Sequence, residues 1–332
     1  MRTVRGLFPR LCEPEHLALA AAETTRGKRR RSEVAWFLFR REDVLADIRE
    51  RLLDGTWAPR GFETFHLREP KRRVIARAPV EDRVVHGALA LLMEPVFLRS
   101  ARPESFACRK GFGAHRAVLR ILEATRRHRF ALHLDVRAYF PSVDLSILRG
   151  LLARTIRDDA FLGVVDQVLA SGRGLYDDPL TREWAGMPED WPPRGRGLPI
   201  GARTSQLFAT HLYLSALDHT IKRDLKVPSY IRYGDDFYLF GDRRADLRRW
   251  RAAVGRWLHE ERGLRLKHPN ARVLSCAGHV DALGYRVTRE GLRTHPRALR
   301  RLSRRARAEL YRVRGRPDFS QSAASSVAVA LF

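Results

Sequence analysis

The sequence predicts an α+β fold in which amphipathic helices accompany an antiparallel sheet. In residues 130–135, "FALHLD", apolar side chains alternate with Ala131, His133 and Asp135, which is typical of a strand. In residues 229–240, "SYIRYGDDFYLF", a glycine and two aspartates separate two apolar runs, which predicts a strand, a tight turn and a second strand. Across most of the remaining chain, apolar residues recur at helical spacing.

In the first 129 residues, predicted helices flank one extended segment. Ser32 is a candidate N-cap for a helix that stops at Gly55. Residues 56–79 alternate aromatic side chains and carry prolines at their edges, so we expect them to be extended. The other helices predicted here lie within residues 12–30, ahead of a basic stretch, at 80–98, where the helix is mostly buried, and at 111–128.

Helices also dominate the chain beyond residue 135. Residues 171–197 are rich in glycine, proline and charge, which predicts a surface loop. Residues 279–295 predict a hairpin, and a polar tail of small residues ends the chain. The predicted helices occupy residues 145–156, 202–225, 247–263 and 296–313, of which the last is strongly basic.

The composition predicts a nucleic-acid partner. The chain has 332 residues, of which 44% are apolar, enough for a sizeable core. Its 63 basic and 38 acidic residues give a formal net charge of +25, and such a field favours a polyanion. Only six of the basic residues are lysines, so arginine is the default cation and no single arginine is informative by itself.

The cysteines and the hydropathy predict a cytoplasmic protein. The three cysteines lie far apart and form no CxxC pair, so neither a zinc cluster nor a disulfide framework is expected. No apolar run approaches the roughly 18 residues of a membrane span. The first residues lack the apolar core of a secretory signal.

The carboxylates at the predicted hairpin indicate a metal site. Asp235 and Asp236 repel each other, and burying them favours a cation between them. Asp135 ends a separate strand, and if both strands share one antiparallel sheet, Asp135 and Asp235 meet across a neighbouring pair, roughly 5 Å apart at Cβ. Three carboxylates suit Mg²⁺, and two such ions about 3.5–4 Å apart support phosphoryl transfer. A plain acidic turn is the alternative for the tetrapeptide alone.

Several motifs, in this order, resemble those of reverse transcriptases. "LHLDVRAYFPSVD", "GLPIGARTSQLFA", "YGDD" and "LGYRV" are similar to successive palm motifs. Upstream, "REPKRRVIARAPVEDRVVHGAL" and "SFACRKGFGAHRAV" resemble the fingers motifs of the bacterial branch. The resemblance covers roughly residues 7–312. "LPIGxxxSQ" and "ACRKG" most resemble the enzymes of diversity-generating retroelements.

The resemblance implies a right-hand polymerase with fingers, a palm that contains the antiparallel sheet, and a short helical thumb. It also implies an RNA-directed DNA polymerase, a nucleotidyltransferase that copies template RNA into cDNA and is error-prone in this branch. The implied domains are an N-terminal helical extension at 1–60, fingers at 61–129, a palm with a fingers insertion and the loop 171–196 at 130–290, and the thumb and tail at 291–332.

The resemblance also implies roles for individual residues. The catalytic residues would be Asp135, Asp235 and Asp236. Two Mg²⁺ ions, with Mn²⁺ as a substitute, would be held by Asp135, Val136, Asp235 and Asp236. The deoxynucleotide would contact Arg73, Arg109, Phe140, Ile200, Gly201 and Gln206, with Lys71 or Arg72 as alternatives to Arg73. The primer grip would be Leu283, Gly284 and Tyr285.

Two of these positions bear on nucleotide selection. The ring of Phe140 matches the steric gate that leaves no room for a 2′-hydroxyl, although ordinary core packing would also explain it. Ile200 replaces the glutamine of many relatives and cannot hydrogen-bond the incoming nucleotide, so we expect low fidelity.

Gly197 and Gly201 would let the backbone approach the template base and the nucleotide. A solvated basic face is the alternative for the arginines, and a structural turn for Leu283–Tyr285.

One position departs from the family pattern. Relatives often carry a lysine shortly after a His-Pro pair, as the acid for pyrophosphate departure, whereas here His268-Pro269 is followed by Asn270, Ala271 and Arg272. Arginine is a poor proton donor, so the residues do not identify the donor.

The implied partners are template RNA, the RNA/DNA heteroduplex, deoxynucleotides and an accessory variability determinant protein, with no membrane. Other readings stay open at this point. They are a retron, group II-like or abortive-infection reverse transcriptase, an RNA-dependent RNA polymerase, which Phe140 disfavours, and a nucleic-acid-binding scaffold without templated copying.

Overall fold

The computed structural model describes residues 3–68 and 72–312, and it combines helices with antiparallel sheets, as the α+β prediction requires. These residues form two compact units, each built from three segments of the chain. The first unit comprises the described residues up to Arg102, Val136–Asp218 and Arg256–Lys267. The second unit comprises Pro103–Asp135, His219–Gly255 and the described residues from His268 onwards. The predicted division into fingers, palm and thumb stays a prediction.

The first half of the chain is largely helical. Its helices are α1 (Leu7–Leu11), α2 (Pro14–Thr25), α3 (Ser32–Phe39), α4 (Arg41–Leu53), α5 (Val80–Leu98) and α6 (Ala114–Arg127), and its strands are β1 (Glu63–Leu67), β2 (Arg73–Arg77) and β3 (Phe130–Asp135). Ser32 is the first residue of α3 and Arg31 its N-cap, so the N-cap prediction is wrong by one residue. The single helix predicted to Gly55 is divided at Arg40, whose non-helical dihedrals separate α3 from α4.

The second half alternates short helices with strands. Its helices are α7 (Tyr139–Ser142), α8 (Leu145–Thr155), α9 (Asp159–Ser171), α10 (Pro179–Trp184), α11 (Arg203–Leu207), α12 (Ser215–His219), α13 (Arg244–Arg262) and α14 (Pro296–Arg312). Two π-helical segments, Phe208–Tyr213 and Thr220–Asp224, follow α11 and α12. The strands are β4 (Ser229–Tyr233), β5 (Asp236–Gly241), β6 (Leu274–Ser275), β7 (Val280–Ala282), β8 (Tyr285–Val287) and β9 (Leu292–Thr294).

Two sequence predictions for this half need correction. The segment 171–197 contains α10 and is not entirely a surface loop, because the aromatic side chains of Tyr176 and Trp191 are buried. The hairpin predicted at 279–295 is a three-stranded sheet in the order β7–β8–β9. The predicted polar tail lies outside the described residues. In the part that the structure describes, no helix is both long and apolar enough to span a bilayer.

The first unit packs its helices around α5, which is buried along most of its length, as predicted. Helix α2 lies against α5 at Gly87, where a Cβ would stand 3.1 Å from Thr24 Oγ1. Strands β1 and β2 form an antiparallel ribbon, which confirms the extended segment. A loop that precedes α11 extends this ribbon, because the Ala76 N–H donates to the Ile200 carbonyl at 2.8 Å.

The second unit is built on a sheet in the order β4–β5–β3–β6. One face of this sheet, with Ala131, Tyr238 and Phe240, forms a single buried cluster with residues of α6 and of the β7–β9 sheet. Strand β3 pairs along its whole length with β5, from Phe130 opposite Gly241 to Asp135 opposite Asp236. The strand pattern predicted from "FALHLD" is therefore confirmed, and the pairing carries the strand's acidic end to the β4–β5 turn.

Gly201 gives the first testable prediction. Its φ is +125°, and a Cβ there would stand 2.6 Å from the Ala76 carbonyl oxygen, so Gly201→Ala adds both backbone strain and a clash with a main-chain atom. We expect the free energy of unfolding, measured by urea titration, to fall by about 2–4 kcal/mol. Gly150 lies in α8 with nothing within 4 Å of its would-be Cβ, so Gly150→Ala should stabilise by about 0.5–1 kcal/mol. Equal effects of the two substitutions would contradict this account.

Candidate active site

The β4–β5 hairpin presents two aspartates at its tip. Tyr233 pairs with Asp236, which leaves Gly234 and Asp235 as a two-residue turn. Gly234 has a φ of +66° whereas Asp235 does not have a positive φ, the pattern of a type II′ turn with glycine at its first central position. A Cβ on Gly234 would contact nothing within 4 Å, so the turn requires this glycine for its dihedral angles alone.

Asp135 lies directly opposite Asp236 in the β3–β5 ladder. The prediction that Asp135 and Asp235 face each other as strand neighbours is therefore wrong in its register. The reason is the short turn, which contains Asp235 and makes Asp236 the first residue of β5. Because directly opposed residues of an antiparallel pair point to one face, Asp135 and Asp236 share a face of the sheet. All three aspartates are half-buried.

A histidine that the sequence analysis did not select holds Asp236. His133 Nε2 lies 2.7 Å from Asp236 Oδ1, and the hydrogen bond places a proton on this ring nitrogen when the carboxylate is ionised. The His133 ring stacks on Tyr238, its opposite residue in β5, with centroids 4.5 Å apart and planes 2° from parallel. The available signal was spacing, since His133 stands two residues before Asp135 and therefore on the same face of the strand.

The phenol of Tyr238 lies within the electrostatic influence of all three aspartates. Burial raises the pKa of Tyr238 well above its ordinary value, and the negative charge of Asp236 is the next largest cause. A hydrogen bond from the Leu283 backbone N–H opposes the shift, and Asp135 and Asp235 add to it. Tyr238 is therefore coupled electrostatically to all three carboxylates and joined to the Leu283 turn by a hydrogen bond.

The predicted primer-grip residues form the turn between β7 and β8. Ala282 pairs with Tyr285, so Leu283 and Gly284 are the two turn residues. Both have positive φ, 50° and 93°, as a type I′ turn requires. Leucine rarely adopts this conformation, and its apolar side chain is half-buried against the core cluster that contains Tyr238. The turn is thus a strained element that is held in place by the β7–β8 pairing and by the packing of Leu283.

A buried arginine in β4 holds the turn of the β4–β5 hairpin through hydrogen bonds to backbone groups. Arg232 is 1% exposed, and its Nη1 donates to the Gly234 carbonyl at 3.0 Å. Its backbone N–H donates to the Glu104 carbonyl at 2.8 Å, and its own carbonyl accepts from the Phe106 N–H at 2.9 Å. The sequence signal was an arginine inside an apolar strand, a position where a charged side chain requires partners. Sequence reasoning did not select it.

Arg109 lies in the same unit as the carboxylates and is partly engaged by its own loop. Its guanidinium carbon stands 3.8 Å from the centroid of the Phe112 ring, and its Nη1 donates to the Ser105 carbonyl at 2.8 Å. Cys108, just before it, has a positive φ of 55°. This loop therefore holds the arginine in a defined orientation.

The remaining nucleotide-contact candidates lie in the first unit. Phe140 sits in α7 with its ring 5.7 Å from that of Tyr139, and its carbonyl accepts from the Leu198 N–H at 2.8 Å. The Ile200 N–H donates to Tyr176 Oη at 3.3 Å. The loop 197–201 is thus tied both to the Phe140 turn and to β2. Gln206 in α11 and Arg73 at the start of β2 are exposed, and Val136 forms an isolated antiparallel bridge with Leu266.

The structure assigns the two loop glycines a packing role. A Cβ on Gly197 would stand 2.5 Å from the Tyr176 ring, just as one on Gly201 would strike the Ala76 carbonyl. The prediction that they admit a template base and a nucleotide stays a prediction. Lys71, an alternative to Arg73, lies outside the described residues. Arg72 stands 5.5 Å from the centroid of the Trp184 ring.

The carboxylates do not form a complete metal cage by themselves. Among residues 3–68 and 72–312, no group of three or more His, Cys, Asp and Glu side chains is arranged to hold a metal ion. The donor set nevertheless suits a hard divalent cation, because half-exposed carboxylate oxygens at a hairpin tip leave coordination positions for water and for phosphate oxygens. The chemistry of these side chains is therefore compatible with a divalent cation.

The family of the chain follows from its match to a known protein family. Residues 68–287 match the model of the reverse transcriptase (RNA-dependent DNA polymerase) family. The chain belongs to the reverse transcriptase family. This confirms the predicted reverse transcriptase, its right-hand polymerase fold and its place among the RNA-directed DNA polymerases, which are nucleotidyltransferases. The matched range contains the β3–β5 pair, the loop 197–201 and the Leu283 turn.

Solved structures give weaker similarities. The chain is 19% identical to a chain of a partial Cas6-RT-Cas1–Cas2 complex, over 77% of this chain and 43% of that chain, with a TM-score of 0.38. A second structure of the Cas6-RT-Cas1–Cas2 complex has the same identity and TM-score, with 27% of that chain covered. Telomerase from Candida albicans, solved with a fragment of telomeric RNA, is 12% identical over 70% of this chain and 46% of that chain, with a TM-score of 0.49.

The chain spans less than half the length of each of these three solved chains. No curated protein matches the chain.

Proposed function

We propose that this protein copies a template RNA into cDNA, with Asp135, Asp235 and Asp236 as its catalytic carboxylates. The observation that carries the proposal is the β3–β5 register, which sets Asp135 opposite Asp236 and beside the turn that holds Asp235. This convergence of acids distant in the sequence lies inside the range that matches the reverse transcriptase family.

The principal metal ligands in this proposal are Asp135 and Asp235, and the set is completed by Asp236 and Val136, which adjoin them in the chain. Two Mg²⁺ ions, for which Mn²⁺ can substitute, would lower the pKa of the primer 3′-hydroxyl and neutralise charge on the leaving pyrophosphate. His133 donates to Oδ1 of Asp236, which orients this carboxylate so that Oδ2 can coordinate an ion.

Nucleotide and primer contacts follow from the same proposal. Arg73 and Arg109 bind the triphosphate as bidentate donors, while Ile200, Gly201 and Gln206 face the base and sugar. Phe140 packs under the deoxyribose and excludes a 2′-hydroxyl. The Leu283–Tyr285 turn supports the primer end, and its link to Tyr238 explains how a strained turn is held close to the carboxylates.

The partners we propose are template RNA, the RNA/DNA heteroduplex and deoxynucleotides. The formal net charge of +25 supports binding of a polyanion along the phosphate backbone. We assign the enzyme to the diversity-generating type, with an accessory variability determinant protein, because Ile200 and the "ACRKG" segment resemble that branch. A retron, group II-like or abortive-infection enzyme is the alternative within the family.

The catalytic role of the carboxylates gives a direct prediction. Asp135→Asn and Asp235→Asn remove a negative ligand with almost no change in volume, so primer extension on an RNA template should fall by about a thousandfold or more. Single-nucleotide extension with Mg²⁺ measures this, and circular dichroism checks folding. Asp246→Asn, in α13, is the matched control and should extend primers like the parent. A parent-like rate for Asp235→Asn would refute the assignment.

Phe140 gives a prediction about sugar selection. Phe140→Ala opens space beneath the sugar, so the ratio of kcat/KM for deoxynucleotides to that for ribonucleotides should fall by about 10–100-fold. Phe39, which is 89% exposed on α3, supplies the control Phe39→Ala, for which the ratio should not change. If Phe140→Ala lowers both kcat/KM values equally, the residue is only a packing residue.

Ile200 gives a prediction about fidelity that bears on the branch. An apolar side chain cannot hydrogen-bond the nucleotide, so Ile200→Gln should lower misincorporation opposite template adenines by about tenfold, whereas Ile200→Leu should leave it unchanged. Sequencing of cDNA from a defined RNA template measures the error spectrum. An identical spectrum for parent and Ile200→Gln would count against the diversity-generating type while leaving the polymerase activity untouched.

A further inference from the structure

A charged cavity lies in the first unit, which does not contain the three carboxylates. It has a volume of about 150 Å³, well above the roughly 10–15 Å³ that one water molecule requires. Helices α2 and α5, the segment after α2 and the start of α11 form its walls. Its polar lining consists of Glu23, Thr24, Lys28, Arg83, His86 and Arg203.

The lining carries more positive than negative charge. Lys28, Arg83 and Arg203 contribute three cations, and Glu23 contributes one anion. Glu23 is already paired, since Arg203 Nη1 stands 2.6 Å from its Oε2. Arg83 Nη2 donates to Glu33 at 2.9 Å. Lys28 Nζ donates to the Thr24 carbonyl at 3.1 Å and, within the described part of the chain, has no ion pair. Arg203 Nη2 also lies 4.0 Å from Glu94 Oε2, so both arginines are paired and the uncompensated positive charge of this lining is that of Lys28.

Two buried nitrogens at this cavity lack hydrogen-bond partners among the residues that the structure describes. They are Arg83 Nε and His86 Nε2. His86 is only 2% exposed, and its other nitrogen, Nδ1, lies 2.7 Å from Thr204 Oγ1. Because buried polar groups in native proteins are nearly always satisfied, these two nitrogens require partners in the cavity, either water or the acceptor atoms of a ligand. The His86–Thr204 contact is compatible with either tautomer, and in the tautomer whose Nδ1 accepts from the Thr204 hydroxyl, Nε2 carries the proton and can donate into the cavity.

The local electrostatics are compatible with a bound anion. Burial, together with the charges of Arg83 and Arg31, lowers the pKa of the Lys28 ammonium, and Glu33 offsets this only in part. Burial lowers the pKa of His86 to about 4, so its imidazole is neutral near pH 7. Close packing fixes the walls, because Gly87 lets α2 approach α5 and Thr24 Oγ1 donates to the Arg83 carbonyl at 3.3 Å.

We propose that this cavity binds a phosphate group, with Lys28 and Arg83 as the charged donors and His86 Nε2–H as the neutral donor. The phosphate belongs either to the backbone of a bound nucleic acid or to a small free phosphate compound. The cavity also borders Gly201 and Ala202, so a bound phosphate would link the N-terminal helices to the loop that precedes α11. Only the nucleic-acid source rests on the proposed function.

Binding is tested first without any polymerase assay. Isothermal titration of the full chain with inorganic phosphate, at constant ionic strength in chloride, should give saturable binding. Lys28→Gln should raise the Kd about tenfold, and Lys28→Arg should retain binding. Lys226, which is exposed in the second unit, supplies the control Lys226→Gln, with a Kd like the parent's. Asp235→Asn should also bind phosphate like the parent, so a failure of the catalytic proposal leaves this test intact.

The source of the phosphate is tested by primer extension. RNA templates with a single neutral methylphosphonate at successive positions are copied by the parent and by Lys28→Gln. If the site takes a template phosphate, one position should slow the parent about tenfold and leave Lys28→Gln unaffected. If the site takes a small phosphate compound, no methylphosphonate position should affect the parent and Lys28→Gln differently. Inorganic phosphate should then still bind the parent when the RNA template is bound. A parent without saturable phosphate binding, or an unchanged Kd in Lys28→Gln, would overturn the proposal.

Discussion

The antiparallel pairing of β3 with β5 is the constraint on which the candidate active site depends. This pairing places Asp135 directly opposite Asp236, and the two-residue turn adds Asp235 next to them. Like charges directly opposite each other in a sheet are destabilising, so the pairing is unfavourable unless a cation or strong donors compensate. The rest of the strand pair offsets this repulsion with buried apolar contacts, from Leu134 opposite Phe237 to Ala131 opposite Phe240.

The surrounding residues restrict the carboxylates in a consistent way. His133 donates to Asp236 from the same face, and Arg232 fixes the turn through the Gly234 carbonyl. Tyr238 connects this face to the Leu283 turn, whose positive-φ residues are held by the β7–β8 pairing. Since phosphoryl transfer requires little from a protein beyond accurate positions for metals and substrate, a rigid frame of this kind matches the chemistry.

The sequence predicted the strands and the turn of this site correctly, but not the register in which the strands pair. The alternation in 130–135 and the glycine in 229–240 were sufficient for three strands and a turn, because both signals are local. The prediction missed the β3–β5 register because that register depends on how many residues form the turn between β4 and β5. His133 and Arg232 were missed because a polar residue at a strand position is compatible with either an exposed face or a satisfied buried one.

The segment 171–197 shows a second limit of sequence reasoning. Its glycine, proline and charge predict a loop, yet Tyr176 and Trp191 are buried, and Tyr176 Oη donates to the Leu198 carbonyl at 3.0 Å. A few large aromatic residues supply enough buried area to order a segment that looks like a loop in its average composition. The charged cavity at Lys28 escaped sequence analysis for a related reason, because its lining comes from three distant parts of the chain.

The most direct test of the central claim is to locate divalent ions in a complex with RNA template, DNA primer and a non-hydrolysable deoxynucleotide. Anomalous diffraction from crystals grown with Mn²⁺ would show the ions without assuming any activity. The account predicts Mn²⁺ peaks within coordination distance of both Asp135 and Asp235, shared with triphosphate oxygens. A complex with ordered nucleotide and no metal bound to Asp135 would contradict it.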